Sequence, residues 1–110
     1  MPLIDTADLE IREPKKGWRG RFFHSRKMTL AYYDVAVNST LHEHSHSNEE
    51  VWNVIKGQLK ITIDGKSKLV GPGGAAIIPP NTPHAVRVMK KARILVVDAP
   101  RRSSIGGVEI

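Results

Sequence analysis

With 110 residues the chain has room for one domain, and a fold of that size buries about two thirds of the surface its unfolded chain exposes, so one core must organise it. A net charge of +6 could suit nucleic acid, but the basic run from Arg12 to Lys27 is broken by Gly17 and Gly20 and carries no recognisable nucleic-acid module; a solvated basic surface and no nucleic-acid partner are expected. The absence of cysteine excludes disulfides and thiolate ligands, and no apolar stretch has membrane-spanning length, so no membrane partner is expected.

Met1 to Glu10 carries Asp5, Asp8 and Glu10 without an apolar signal core, which predicts a cytoplasmic protein. Residues 1–27 read as an N-terminal arm in which Thr6 caps a short turn, Pro14 and two glycines discourage a helix, and one edge strand forms around Arg21 to Ser25. Met28 to Val37 is rich in β-branched and aromatic residues and reads as a strand, as does Val51 to Ile55. After Lys56-Gly57-Gln58, the apolar Leu59, Ile61 and Ile63 alternate with Lys60, Thr62 and Asp64, the pattern of a strand with one face in the core. Asp64-Gly65 predicts a type I′ hairpin turn leading into a return strand, Lys66 to Val70. Gly71 to Gly74 is a turn, Ala75 to Ile78 a short strand, and Pro79 to Pro83 a rigid loop that delivers His84. His84 to Met89 and Ala92 to Val97 read as two further strands joined at Lys90-Lys91. Helical periodicity is nearly absent, so residues 28–100 are expected to form an all-β sandwich or barrel, followed by a C-terminal tail, 101–110.

Metal-ligand residue types gather at His44, His46, Glu50 and His84. In extended chain His44 and His46 project from one face, Glu50 shares their parity and Glu49 faces out. Imidazole nitrogen with carboxylate oxygen suits one divalent transition ion per chain, iron, manganese, nickel, copper or zinc, rather than calcium. His42 shares the parity and reads as a rim residue or a pocket group, while His24 has no partner in sequence and is expected at the surface. Trp52 and Val54 should point inward with Glu50, and Val86 and Val88 with His84. Tyr32 or Tyr33 could give a bound ligand a phenolic donor or simply fill the core. No catalytic residue is assigned.

The spacing His44-x-His46-x3-Glu50-x6-Gly57, followed by Gly73-x5-Pro79-x-Asn81-x2-His84, resembles the two motifs of the cupin superfamily in order, over about residues 28 to 98. Asn38 and Asn81 stand where glycine is usual, and asparagine tolerates the left-handed backbone such turns need; Val88 replaces an asparagine. The resemblance implies a double-stranded β-helix, or jelly-roll, barrel with the metal at the four named residues, and a homodimer in which the N-terminal arm packs across the partner. It is nearest to the small quercetin-dioxygenase-like type-2 cupins, which implies a metal-dependent enzyme, dioxygenase-like or isomerase/lyase-like, acting on an oxygen-rich small organic molecule. The tail Ile94 to Arg102 is similar to that of a neighbouring subgroup acting on unsaturated sugar acids, whose members tend to have glutamine where Glu50 stands. The alternative is a non-catalytic barrel that binds a metal or small molecule, which an interior with no cavity would favour.

Overall fold

The computed structural model describes residues 3–110; Met1 and Pro2, part of the N-terminal segment read for a signal core, lie outside them. Ten strands follow one short 3-10 turn at Thr6–Asp8: β1 (Arg12–Lys15), β2 (Trp18–His24), β3 (Thr29–Val35), β4 (Thr40–His44), β5 (Glu49–Ile63), β6 (Lys66–Val70), β7 (Ala75–Ile78), β8 (His84–Ala99), β9 (Ser104–Ile105) and β10 (Val108–Glu109). The fold is all-β, as expected. The 3-10 turn is capped by the Asp5 carboxylate, which accepts from Ala7 N, rather than by Thr6.

Two long strands define the architecture. β8 pairs with β3 through its C-terminal half and with β4 through its N-terminal half, while β5 pairs with β7 and β6 in the same divided way and with β8 along its length. Each long strand therefore meets different neighbours along its two halves, and the eight strands β1 to β8 form one continuous sheet. The sequence reading split both, at Lys56-Gly57-Gln58 and at Lys90-Lys91, because those residues look like turns; they are bends within continuous strands. The β5–β8 register shifts between Val54 and Leu59, and Gly57, at φ +84°, lies so close to the Lys91 carbonyl that a Cβ would overlap it. A bulge bends a strand and adds twist without ending it, which lets each long strand curve from one set of neighbours to the next.

At the N-terminus the structure has two strands in place of one. β1 and β2 pair with each other, and β2 continues the sheet alongside β3 from Trp18↔Val35 to His24↔Thr29. Asp64 and Gly65 have φ of +50° and +80°, the type I′ geometry their sequence predicts, and Asn38 (+68°) and Asn81 (+59°) adopt the left-handed conformation expected of them.

Register sorts the barrel interior into layers. One inward row crosses the sheet as Gly20, Tyr33, Ile94 and Val54, the next as Phe22, Ala31, Val96 and Trp52, and the next as His24, Thr29, Asp98 and Glu50. The first two rows are apolar apart from the Tyr33 hydroxyl and the Trp52 indole nitrogen. Trp18 packs edge-on against Tyr33 and Trp52 at centroid distances of 5.6 and 5.8 Å, contacts worth about 0.5–1.5 kcal/mol each beyond their burial. The third row is polar, and the candidate site lies there.

Candidate metal centre

The site is assembled from β4, β5, β8 and the connection between β4 and β5. His44 and His84 are Cα partners on β4 and β8, and their rings lie 4.3 Å apart. Glu50 and Asp98 are Cα partners on β5 and β8, near the other end of the β8 strand. His46 comes from the connection between β4 and β5, where Asn81 N donates to its carbonyl at 2.7 Å and ties that connection to the proline loop. His44, His46 and His84 bring ligand nitrogens within 4.8 Å of one another, as do His46, Glu50 and Asp98 with one donor atom each.

Each of the three imidazoles is held by the main chain. The Nδ1 atoms of His44, His46 and His84 lie 2.8, 3.2 and 2.8 Å from the carbonyl oxygens of His42, Asn48 and Thr82. A carbonyl only accepts, so Nδ1 must carry the hydrogen, and each neutral ring then offers its Nε2 lone pair inward. The Nε2 atoms of His46 and His84 are buried without a hydrogen-bond partner, as is Oδ1 of Asp98. A buried polar atom left unpaired costs about 1–3 kcal/mol, and a cation ligated by the two Nε2 atoms would satisfy both of them. Three imidazole nitrogens and a carboxylate fit a borderline divalent transition ion.

Glu50 is 3% exposed. Its Oε1 accepts from Trp52 Nε1 at 2.7 Å and lies 3.4 Å from His84 Nε2; its Oε2 lies 3.4 Å from both His46 Nε2 and Arg102 Nη1. Burial alone would raise its pKa, but the contacts with His46, His84, Asp98 and Trp52 outweigh burial and hold it far below the usual carboxylate range. Asp98 goes the other way: burial first, then the neighbouring Glu50 charge, push it up to about 9. The two adjacent buried carboxyls thus oppose each other's ionisation, which favours the charged form at Glu50 and the neutral form at Asp98. Burial lowers the His44 pKa and favours the neutral ligand form. At His84 burial also lowers, but the Glu50 contact and the Thr82 carbonyl outweigh it and the net direction is up.

The four sequence-predicted residues therefore meet in one place. Trp52, Val54, Val86 and Val88 are buried and Glu49 is exposed, as their parity predicts. His42 is exposed at the cavity rim and contributes its carbonyl rather than its ring. His24 is not free at the surface: its Nδ1 lies 2.8 Å from the buried Thr29 hydroxyl. Tyr33, not Tyr32, faces the cavity, and burial together with the nearby Asp98 and Glu50 carboxyls pushes its phenol pKa up. Sequence reasoning missed Asp98 and Arg102. Asp98 did carry a signal, because it continues the inward parity of Ala92, Ile94 and Val96; Arg102 lies in the tail, where no periodicity marks it.

Beside the donors lies a cavity of about 150 Å³, walled by Trp18, Trp52, Leu41 and Val96 and reached by Glu50, Asp98 and Arg102. No helix of the described residues is long and apolar enough to cross a membrane.

Comparison with known proteins follows the same lines. The chain is 26% identical over 101 residues to an uncharacterized protein of Streptomyces coelicolor, covering 91% of this chain and 95% of that one. The structure superposes on KdgF from Halomonas sp. with a TM-score of 0.85 at 15% identity, covering 93% and 96% of the two chains, a likeness of fold. It matches the polyketide cyclase RemF from Streptomyces resistomycificus with a TM-score of 0.77 at 26% identity, covering 90% and 79%. Residues 31–98, more than half of the chain and spanning every strand from β3 to β8, match the cupin domain model, and the protein belongs to the cupin family.

Proposed function

We propose that this protein is a metal-dependent cupin enzyme in which His44, His46, Glu50 and His84 hold one divalent transition ion that acts on an oxygen-rich small organic molecule. The observation that carries the reading is the set of three Nδ1-anchored imidazoles whose Nε2 atoms converge beside Glu50, two of them buried without any other partner. Held by these four residues, such an ion would supply Lewis-acid or redox chemistry. The chain's own part is to orient the imidazoles through main-chain carbonyls and to fix Glu50 through Trp52. The rival reading, a barrel that only binds, was to be favoured by a filled interior; the 150 Å³ cavity beside the donors supports the enzyme instead.

A homodimer is part of the same proposal. On the outer face of the sheet, Phe23, Leu30, Val97, Val51 and Ile77 fall in one row across five strands, an apolar band that a second copy would cover. A cytoplasmic location is consistent with the absence of cysteine.

The test is metal content by plasma mass spectrometry on untagged protein beside its His46→Ala variant. About one equivalent of iron, manganese, nickel, copper or zinc, lost in the variant, is expected. A Glu50→Gln or His84→Ala protein that loses metal yet retains all ligand binding would sink the metal-centred reading.

A further inference from the structure

Among the described residues Arg102 is the arginine that pairs with Glu50, and the main chain puts it there. Its backbone N–H donates to the buried Thr29 hydroxyl at 2.8 Å, and just before it Asn48 Nδ2 donates to the Pro100 carbonyl at 2.6 Å. The tail is thus fastened at two points on the barrel, and the guanidinium reaches the inner end of the cavity. Of its three nitrogens only Nη1 meets protein acceptors among the described residues, Glu50 Oε2 at 3.4 Å and Asp98 Oδ2 at 3.9 Å. Nε and Nη2 remain available to a ligand.

This placement sets up a conflict that Asp98 resolves. Glu50 Oε2 is shared between Arg102 and His46 Nε2, each 3.4 Å away, so an ion taken up by His46 and Glu50 would stand close to a like charge. Asp98 lies beside Glu50 across the strand pair, 1% exposed, with Oδ1 unpaired. It is the acceptor onto which Arg102 can turn. A divalent ion and Arg102 together outweigh Glu50 and Asp98 even with both carboxyls ionised, so the loaded cavity carries an excess of positive charge, and Lys15 at the mouth adds to it.

Size is limited from above. The hairpin of β9 and β10 folds over β1, where Arg12 Nη1 donates to the Glu109 carbonyl at 2.6 Å and Gly106, at φ +58°, abuts the Pro14 carbonyl. Ile105 and Gly106 close the cavity on that side. A cavity of this volume, about 150 Å³, admits a ligand of roughly the size of benzene.

We propose that Arg102, backed by Asp98, is the recognition group for a compact organic carboxylate that fills this cavity with one end on the ion and the other on the guanidinium. The proposal rests on the metal-centred reading above and gives it a ligand class. A fused aromatic ligand would require the β9–β10 hairpin to lift.

The experiment uses zinc-loaded full-length protein and two probes of equal size, malonate and its neutral diamide. Trp18 and Trp52, the only tryptophans of the chain, both wall the cavity, so their emission reports binding. Zinc content of each protein is measured first. Malonate is expected to bind at least about tenfold more tightly than malonamide, the order of one charge-assisted hydrogen bond. Arg102→Gln should lose most of that preference, Arg102→Lys keep part of it, and Asp98→Asn weaken malonate binding with zinc content unchanged. Equal binding of the two probes to the wild type overturns the proposal. So does a preference that survives undiminished in Arg102→Gln, since the ion alone would then select the anion. Zinc well below one equivalent in the wild type overturns the metal-centred reading itself, and that result is read before any ligand is added. Arg102→Lys separates loss of the anion site from loss of the fold.

Discussion

Replacing Asp98 by asparagine should stabilise the metal-free protein, and more so as pH rises. Asp98 is 1% exposed, and burial and the adjacent Glu50 charge push its pKa from 3.8 to about 9. An acid whose pKa is raised by folding binds its proton more tightly in the native state, so between those two values the native protein holds a proton that the unfolded chain has released. Stability then falls as pH rises through that window, by at most about 1.4 kcal/mol per unit. Accumulated to pH 8 the ceiling is about 6 kcal/mol. Water entering the cavity and sharing of the proton with Glu50 reduce it, and a difference of about 2–4 kcal/mol between variant and parent at pH 8 is expected. Asparagine removes the titration, keeps the shape and offers an N–H donor toward Glu50. Urea denaturation of chelator-treated protein at several pH values between 5 and 9 measures the effect. Titrating groups that do not feel Asp98, such as His84 with its raised pKa, are common to both proteins and cancel in the difference. Parallel stability curves, or an asparagine variant less stable than the parent at pH 8, would refute the account of a protonated buried Asp98.

Two further outcomes follow from the geometry. Trp52→Phe removes the 2.7 Å bond that fixes Glu50 Oε1 while preserving most of the ring packing, and should weaken metal binding about ten- to a hundredfold in a chelator competition with little change in fold. Ile77 is 66% exposed in the outer apolar row; Ile77→Lys should convert a dimer to monomer in sedimentation velocity without loss of metal, and an unchanged sedimentation coefficient would exclude that face as the interface.

The candidate site was legible in the sequence for reasons only partly correct. Parity in extended chain was the argument for joining His44, His46 and Glu50, yet β4 ends at His44 and β5 begins at Glu49, so a connection rather than a continuous strand brings the last two into place. Motif spacing captured the result of that loop geometry where alternation could not. The same alternation gave no grip on His42, because the β4–β8 register is irregular between Leu41 and His44 and leaves His42 exposed at the rim. Lys56-Gly57-Gln58 looked like a terminator because glycine flanked by polar residues is locally a turn signal; only the close approach of Gly57 to Lys90–Ala92, a contact between residues far apart in sequence, shows it to be a bend. Arg102 could not have been found from local pattern at all, since Thr29 and Asn48, far away in sequence, determine where the tail lies.

The oxygens that orient the three imidazoles belong to the peptide backbone. Substituting the side chains at positions 42, 48 or 82 leaves an oxygen at each place, because every amino acid supplies a carbonyl. The rim of the cavity can therefore be rewritten, by drift or by an engineer seeking a different guest, while the inward orientation of the three imidazoles stays as it is. Tuning what enters and tuning what is held are separable tasks in this barrel.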